Sequence, residues 1–187
     1  MSAEPPVQAP HRATRRAPSL VILHTGDGKG KTTAAMGIVM RAAGHDQRVA
    51  VVQFMKSGRW RSGERLAAEH LGVDWSVIGD GFTWDSEDLD RAAEVAREAW
   101  AEAAALIAAG GHDVVVLDEV TYSMTWGWLA TEDVVAAVRE RPEHVSVVLT
   151  GRDAPPELVE LADTVTEHEN VKHAFDDGVA AKKGIDF

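Results

Sequence analysis

The residues best suited to chemistry lie near the start of the chain, in Thr25-Gly26-Asp27-Gly28-Lys29-Gly30-Lys31-Thr32-Thr33. Glycines without a Cβ allow successive backbone N–H groups to converge on an anion, and a helix opening at Gly-Lys-Thr adds the partial positive charge of its N-terminus. Lys31 supplies a point charge for phosphate, and the Thr32 hydroxyl is placed to ligate a phosphate-bound magnesium ion. The usual spacing is glycine, four residues, then Gly-Lys-Ser/Thr. Here Thr25 stands where the first glycine belongs and Gly26 comes one position late, so the loop is a variant.

A second constellation is Asp118-Glu119, at the end of the apolar run Val114-Val115-Val116-Leu117. Such a run suits a strand buried on both faces of a parallel sheet, and the strand end is where a phosphate-loop protein places its second magnesium-binding carboxylate. Arg152, after the apolar run Val145–Leu149, is expected at the same ligand edge. Two loops carry further candidates. Lys56, Arg59, Trp60 and Arg61 form a basic stretch with an aromatic. Gly81-Phe82-Thr83-Trp84 sets two aromatics between glycine and acid, either anchoring the loop or presenting an apolar platform to a flat ligand. His168 and His173 are not spaced as a helical metal pair and read as ordinary surface or core histidines.

The elements that hold these residues follow from periodicity. Leu20–Leu23, Arg48–Phe54, Val73–Ile78, His112–Glu119, Val145–Thr150 and Asp163–Glu167 read as strands. Ala34–Arg41 reads as a helix stopped at Gly44. Ser86–Ala109 reads as a long amphipathic helix with Leu89, Ala92, Ala93, Ala96, Trp100, Ala103, Leu106 and Ile107 on one face and Gly110-Gly111 at its end. Thr131 begins another helix that stops by Pro142, and Pro155-Pro156 opens a short one. Val120–Leu129, aromatic and nearly uncharged, is expected to be core or subunit interface. Alternating strands and helices imply an α/β fold, a mostly parallel central sheet with helices on both faces. Residues 1–18, with four prolines and Arg12, Arg15 and Arg16, are expected to be a flexible N-terminal arm, and 19–187 a single domain.

Composition narrows the function. The chain has 187 residues, 19 basic and 30 acidic side chains and a formal charge of −11, which disfavours non-specific binding to duplex nucleic acid. Cysteine is absent, which removes disulfides, thiolate metal sites and cysteine nucleophiles. No apolar run reaches the roughly 18 residues of a membrane span, and no signal-peptide core is visible, so a cytoplasmic protein without membrane attachment is expected.

Taken together, these segments resemble the P-loop (RecA-like) ATP:corrinoid adenosyltransferases, from about His24 to Phe187. The resemblance rests on His24–Ala35, Val52-Gln53-Phe54, Gly63-Glu64-Arg65, Gly81-Phe82-Thr83-Trp84, Val115–Tyr122, Thr150-Gly151-Arg152 and Val171-Lys172-His173-Ala174-Phe175-Asp176. It implies that a cobalt(I) corrinoid attacks C5′ of ATP and triphosphate leaves, in adenosylcobalamin biosynthesis or salvage. By resemblance, Gly26, Asp27, Gly28, Lys29, Gly30, Lys31, Thr32, Thr33, Glu64 and Arg152 bind ATP. Thr32, Asp118 and Glu119 hold Mg2+ or Mn2+, and Lys31, Phe82 and Trp84 serve catalysis. In the family the loop is understood to hold ATP in a reversed sense, exposing C5′. Phe82 and Trp84 would press on the lower corrin face and displace its axial ligand, easing reduction by a reduced flavoprotein or other electron donor. A homodimer is also implied. Asp27 departs from the asparagine frequent in the family, and the N-terminal arm is short and proline-rich where some relatives carry a longer helical arm. The competing reading is a RecA-like ATPase that binds single-stranded nucleic acid through Lys56, Arg59, Trp60 and Arg61. A nucleotide switch without turnover is a third.

Overall fold

The structure is a computed structural model that describes residues 15–55, 62–77 and 89–186. The greater part of the N-terminal arm, the basic stretch with Lys56, Arg59, Trp60 and Arg61, and the Gly81-Phe82-Thr83-Trp84 loop lie outside the described residues.

Six strands form one sheet: β1 Val21–Thr25, β2 Val49–Gln53, β3 Asp74–Val77, β4 Val114–Asp118, β5 Ser146–Thr150 and β6 Thr164–Glu167. Their spatial order is β3-β2-β4-β5-β1-β6, and every pairing is parallel. Val51, Val52, Val115, Val116, Leu117, Val147 and Val148 are completely buried, as central strands covered on both sides require. The period-two geometry sorts them by face. Val115, Leu117, Val147 and Leu149 join the core beneath α3 (Leu89–Ala109), α4 (Val120–Thr125), α5 (Thr131–Arg139) and α6 (Pro156–Leu161). Val114, Val116, Val148, Val49 and Val51 pack instead on α1 (Lys31–Ala43) and α2 (Gly63–His70). The fold is a doubly covered α/β sheet of the P-loop, RecA-like kind, with β5 between the loop-bearing β1 and the carboxylate-bearing β4.

Side chains from neighbouring segments fix how the strands enter the sheet. Asp163 Oδ2 accepts from the amide of Val21 at 2.8 Å, and Asp113 Oδ2 from the amide of Arg48 at 2.8 Å. His112 Nε2 lies 2.8 Å from Asp74 Oδ2, clipping the start of β4 to that of β3.

Helix α3 buries mostly alanine: Ala92, Ala93, Ala96, Ala99 and Ala103, with Val95 and Ile107. Small side chains let the helix axis approach the sheet, while Trp100 and Leu106 pack at its margin. Leu89, expected on the buried face, is 63% exposed. At 21 residues the helix spans roughly 30 Å, whereas a five-residue strand covers roughly 17 Å, so the first turn overruns the sheet. Gly110, in the left-handed region at φ 61°, ends the helix.

Helix α2 was not expected from the sequence. Its N-cap is Ser62, whose hydroxyl accepts from the Arg65 amide at 3.3 Å, and only Ala68 on it is buried. The segment after α4 also differs from a simple core: Leu129 is buried, but Trp126 is 38% exposed. Trp126 and Trp128 meet edge to face at 4.8 Å between centroids, and Trp126 also touches Tyr122 at 5.6 Å.

Candidate active site

All the chemistry-bearing segments among the described residues emerge at the carboxyl ends of the strands, where open parallel sheets bind ligands. The glycine loop follows β1, Glu119 follows β4, Arg152 follows β5, and His168 to Asn170 follow β6. They surround a pocket of about 360 Å³ bordered by Asp27 to Thr33, Glu64, Glu119, Tyr122, Arg152 and a group from the C-terminal segment.

Gly30 is the N-cap of α1 at φ 107°, a conformation that L side chains rarely adopt. Gly26 and Gly28 are demanded by crowding. A Cβ on Gly26 would lie 2.6 Å from the His168 carbonyl oxygen, and one on Gly28 would strike the carbonyl of Glu169. The segment leaving β6 lies directly on the loop, and the Gly28 amide donates to the His168 carbonyl at 2.6 Å. In this conformation, then, that amide is held by the chain itself rather than aimed at an anion, the role expected of the loop amides. The late glycine thereby finds its reason. Gly26 sits behind the pocket, beneath β6, where only a residue without a side chain fits.

Lys31 Nζ donates to the carbonyls of Gly26 and Gly28, each at 2.6 Å, so the ammonium lies within the loop. Burial, then the nearby Arg152 charge, pulls its pKa below the usual lysine value, while Asp27 and Glu119 act in the opposite sense. An incoming polyphosphate would reverse that balance, because an added anion favours the charged ammonium.

Asp118 is completely buried, and its two oxygens collect three donors. Thr32 Oγ1 donates to Oδ1 at 2.9 Å, Thr150 Oγ1 to Oδ1 at 2.8 Å, and Gln53 Nε2 to Oδ2 at 2.8 Å. Thr32 and Asp118 are 86 residues apart and meet because α1 crosses the sheet over β5 and β4. Asp118 thus stands under the pocket, while Thr32 and Glu119 border it. Glu119 is a non-glycine residue at φ 64°, with its amide donating to Thr150 Oγ1 at 2.9 Å. Left-handed geometry at such a residue costs about 1–2 kcal/mol and is kept where it aims a functional group. Gly151, at φ 144°, is equally constrained, since a Cβ there would collide with the Thr121 hydroxyl.

A divalent cation of the magnesium type fits these residues. Thr32, having donated its proton to Asp118, keeps oxygen lone pairs for a cation, and Glu119 supplies a carboxylate across the pocket. Among the described residues no three His, Asp or Glu side chains converge into an all-protein site. Charge, too, favours a cation. Lys29, Lys31 and Arg152 face five carboxylates in the lining, Asp27, Glu64, Glu119, Asp176 and Asp186. A bare polyphosphate would add its whole negative charge to a net negative pocket; one carrying a divalent cation adds less.

The sequence-derived residues Asp27, Gly28, Lys29, Gly30, Lys31, Thr32, Thr33, Glu64, Glu119 and Arg152 all reach the pocket. Phe82 and Trp84 lie outside the described residues. Tyr122 and the C-terminal group, Asn170, His173, Phe175, Asp176 and Asp186, were not expected as lining. Tyr122 stands three residues after Glu119, on the first turn of α4. An ion pair between Lys29 and Asp186 joins the C-terminal group to the loop, and the Lys182 amide, donating to Asp186 Oδ2 at 2.7 Å, holds that carboxylate in its own turn.

His24 lies beneath the loop, buried, with Nδ1 3.4 Å from His168 Nε2 and no partner for Nε2 among the described residues. Burial first, then repulsion from His168, lowers its pKa below 6.5. Below pH 6.5 the unfolded chain therefore binds a proton that the folded chain resists, and stability falls as pH drops from 6.5 toward the folded pKa. Urea unfolding across that window should show this slope, and His24→Leu should flatten it. An unchanged slope in the variant would assign it to other groups.

Comparison with known proteins agrees with this geometry. Residues 17–187 match the family model "ATP:corrinoid adenosyltransferase BtuR/CobO/CobP". The chain is 47% identical over 168 residues to the corrinoid adenosyltransferase of Escherichia coli (strain K12), covering 90% of this chain and 85% of that protein. It is 44% identical over 168 residues to the corrinoid adenosyltransferase CobA of Salmonella typhimurium, with the same coverage. Against the corrinoid adenosyltransferase of Pseudomonas aeruginosa it is 43% identical over 170 residues, 90% of this chain and 83% of that one. With the glycine-rich loop and Glu119 bordering one pocket, Asp118 beneath it, and these relatives spanning nearly its whole length, the chain belongs to the ATP:corrinoid adenosyltransferase family.

Proposed function

We propose that this protein transfers the 5′-deoxyadenosyl group of ATP to the cobalt(I) of a corrinoid, in the synthesis or salvage of adenosylcobalamin. Cobalt(I) attacks C5′, the Co–C bond forms as the C5′–O bond breaks, and triphosphate departs with the electron pair. The observation that carries this reading is Lys31 and the Glu119 carboxylate facing one pocket, within a chain whose family performs ATP-dependent chemistry on corrinoids.

Triphosphate is a highly charged leaving group, so the residues are assigned to holding it still and neutralising it. Lys29, Lys31 and Arg152 supply charge, the Gly26–Thr33 loop supplies the cradle, and Glu64 and Asp27 border it. Mg2+, or Mn2+, would be held by Thr32 and Glu119, with Asp118 fixing the Thr32 hydroxyl. When bound, the ion neutralises phosphate charge. Phe82 and Trp84 are assigned to the lower corrin face, where they displace the axial ligand and ease reduction by a reduced flavoprotein or other donor. Residues 1–18 would be an arm on a single domain that works as a homodimer. A cytoplasmic enzyme that binds neither membrane nor nucleic acid completes the proposal. No helix among the described residues is long and apolar enough to cross a membrane.

The test is product identity. ATP, magnesium and a cobalt(I) corrinoid should yield an adenosyl–cobalt product and inorganic triphosphate in equal amounts; ADP and phosphate alone would refute the assignment. In the same assay Phe82→Ala should lose more activity with cobalt(II) corrinoid plus reductant than with pre-reduced substrate. Equal losses would remove the axial-ligand role.

A further inference from the structure

The pocket is strongly polar apart from Tyr122 and one side chain that nothing so far has used. Phe175 borders the pocket yet is 72% exposed. Tyr122, the other carbocyclic ring of the lining, is half-buried and packed against Trp126. Phe175 stands on a short 3-10 turn, Ala174–Asp177, whose geometry is closed at both ends. His173 Nδ1 accepts the Phe175 amide at 3.0 Å, and Gly178, at φ 76°, returns its amide to the Phe175 carbonyl at 2.9 Å. The His173 ring stands edge to face with the phenyl ring at 6.5 Å between centroids. A large apolar ring held by its backbone at the mouth of a charged pocket, and left uncovered, has a face available to a flat partner.

Building on the reading of the loop as a polyphosphate holder, we propose that Phe175 is the stacking platform for the purine of the nucleotide. The loop and Lys31 take the phosphates, and the exposed ring of the lining takes the base. Stacking on an aromatic face is tolerant of base identity and is worth a tenfold or larger change in affinity when the ring is removed. It is also local to the base, so the polyphosphate end should not sense it. Phe175 is thus a positioning residue: by fixing the nucleoside, it limits where C5′ can lie.

Calorimetric titration of the full-length protein with magnesium ATP and with magnesium tripolyphosphate, which has no base, separates the two ends. Phe175→Ala should weaken ATP at least tenfold and leave tripolyphosphate within twofold of the unaltered protein. Phe175→Trp, which restores a ring, should recover ATP affinity. Unchanged ATP affinity, equal losses for both ligands, or loss confined to the KM for corrinoid would each overturn the platform. If the unaltered protein bound neither ATP nor tripolyphosphate, the reading of the loop would fall, and the platform with it.

Discussion

Asp118→Ala should lower the melting temperature by roughly 10 °C or more and abolish adenosyl transfer. The carboxylate is fully buried and receives hydrogen bonds from Thr32, Thr150 and Gln53. Truncation leaves those three donors facing a void. Each orphaned buried polar group costs about 1–3 kcal/mol, for a total of about 3–9 kcal/mol. In a chain of this length each kcal/mol moves the midpoint by roughly 2–4 °C. Asp118→Asn separates stability from chemistry. Its carbonyl oxygen can still accept from Thr32 and Thr150, and Gln53 can turn its amide to present oxygen to the new NH2 group. Most of the stability should return. Activity should not, because the neutral amide no longer supplies the negative charge beneath Thr32 that would favour a cation there. Thermal melts and single-turnover rates on both variants decide the matter. An Asp118→Asn enzyme with full activity would reduce the carboxylate to a structural role.

Lys31→Ala should reduce kcat/KM by about a thousandfold, equivalent to roughly 4 kcal/mol of transition-state stabilisation. The ammonium is the loop's innermost positive charge, and its neighbours already mark it as a site awaiting an anion. Burial and Arg152 disfavour its charged form, and the carbonyls of Gly26 and Gly28 hold its protons at 2.6 Å. As triphosphate leaves, negative charge builds on the oxygen parting from C5′, and a point charge fixed beside the phosphates matters most at that moment. Lys31→Arg should not rescue, since a planar guanidinium cannot reproduce a compact ammonium seated between two carbonyls. Fold stability should change little in either variant, because the side chain is only half-buried and its partners are loop carbonyls with access to water. Steady-state kinetics together with a melt provide the check: a loss of activity explained by unfolding would contradict the assignment.

Much of this was legible in the chain itself. The apolar runs that became β1, β2, β4 and β5 are rich in valine, isoleucine and leucine, and such runs have few alternatives to a buried parallel strand. The strand–loop–helix around Lys31 and the acid pair after Leu117 depend on local order along the chain, so spacing alone reveals them. Helix α2 was less visible because its eight residues make only about two turns, too few for a repeating apolar stripe to stand out. Leu89 was misjudged for a related reason: periodicity defines a face but not how far the sheet extends beneath it.

The shifted glycine shows the division most clearly. From composition and spacing, the loop is a phosphate cradle with one residue out of place. Only the fold explains the displacement, since Gly26 and Gly28 are pressed by backbone of the segment leaving β6, more than 140 residues away in sequence. The joining of Thr32 to Asp118, the pairing of His24 with His168, and the arrival of Phe175 and Asp186 at the pocket are of the same kind. Sequence alone determined which residues were candidates for phosphate-handling chemistry and which elements bear them, because those are local properties of pattern and propensity. Tertiary structure decided which distant segments close the pocket and which groups are already engaged, because strand order and close packing bring them together without leaving any local signal in the chain.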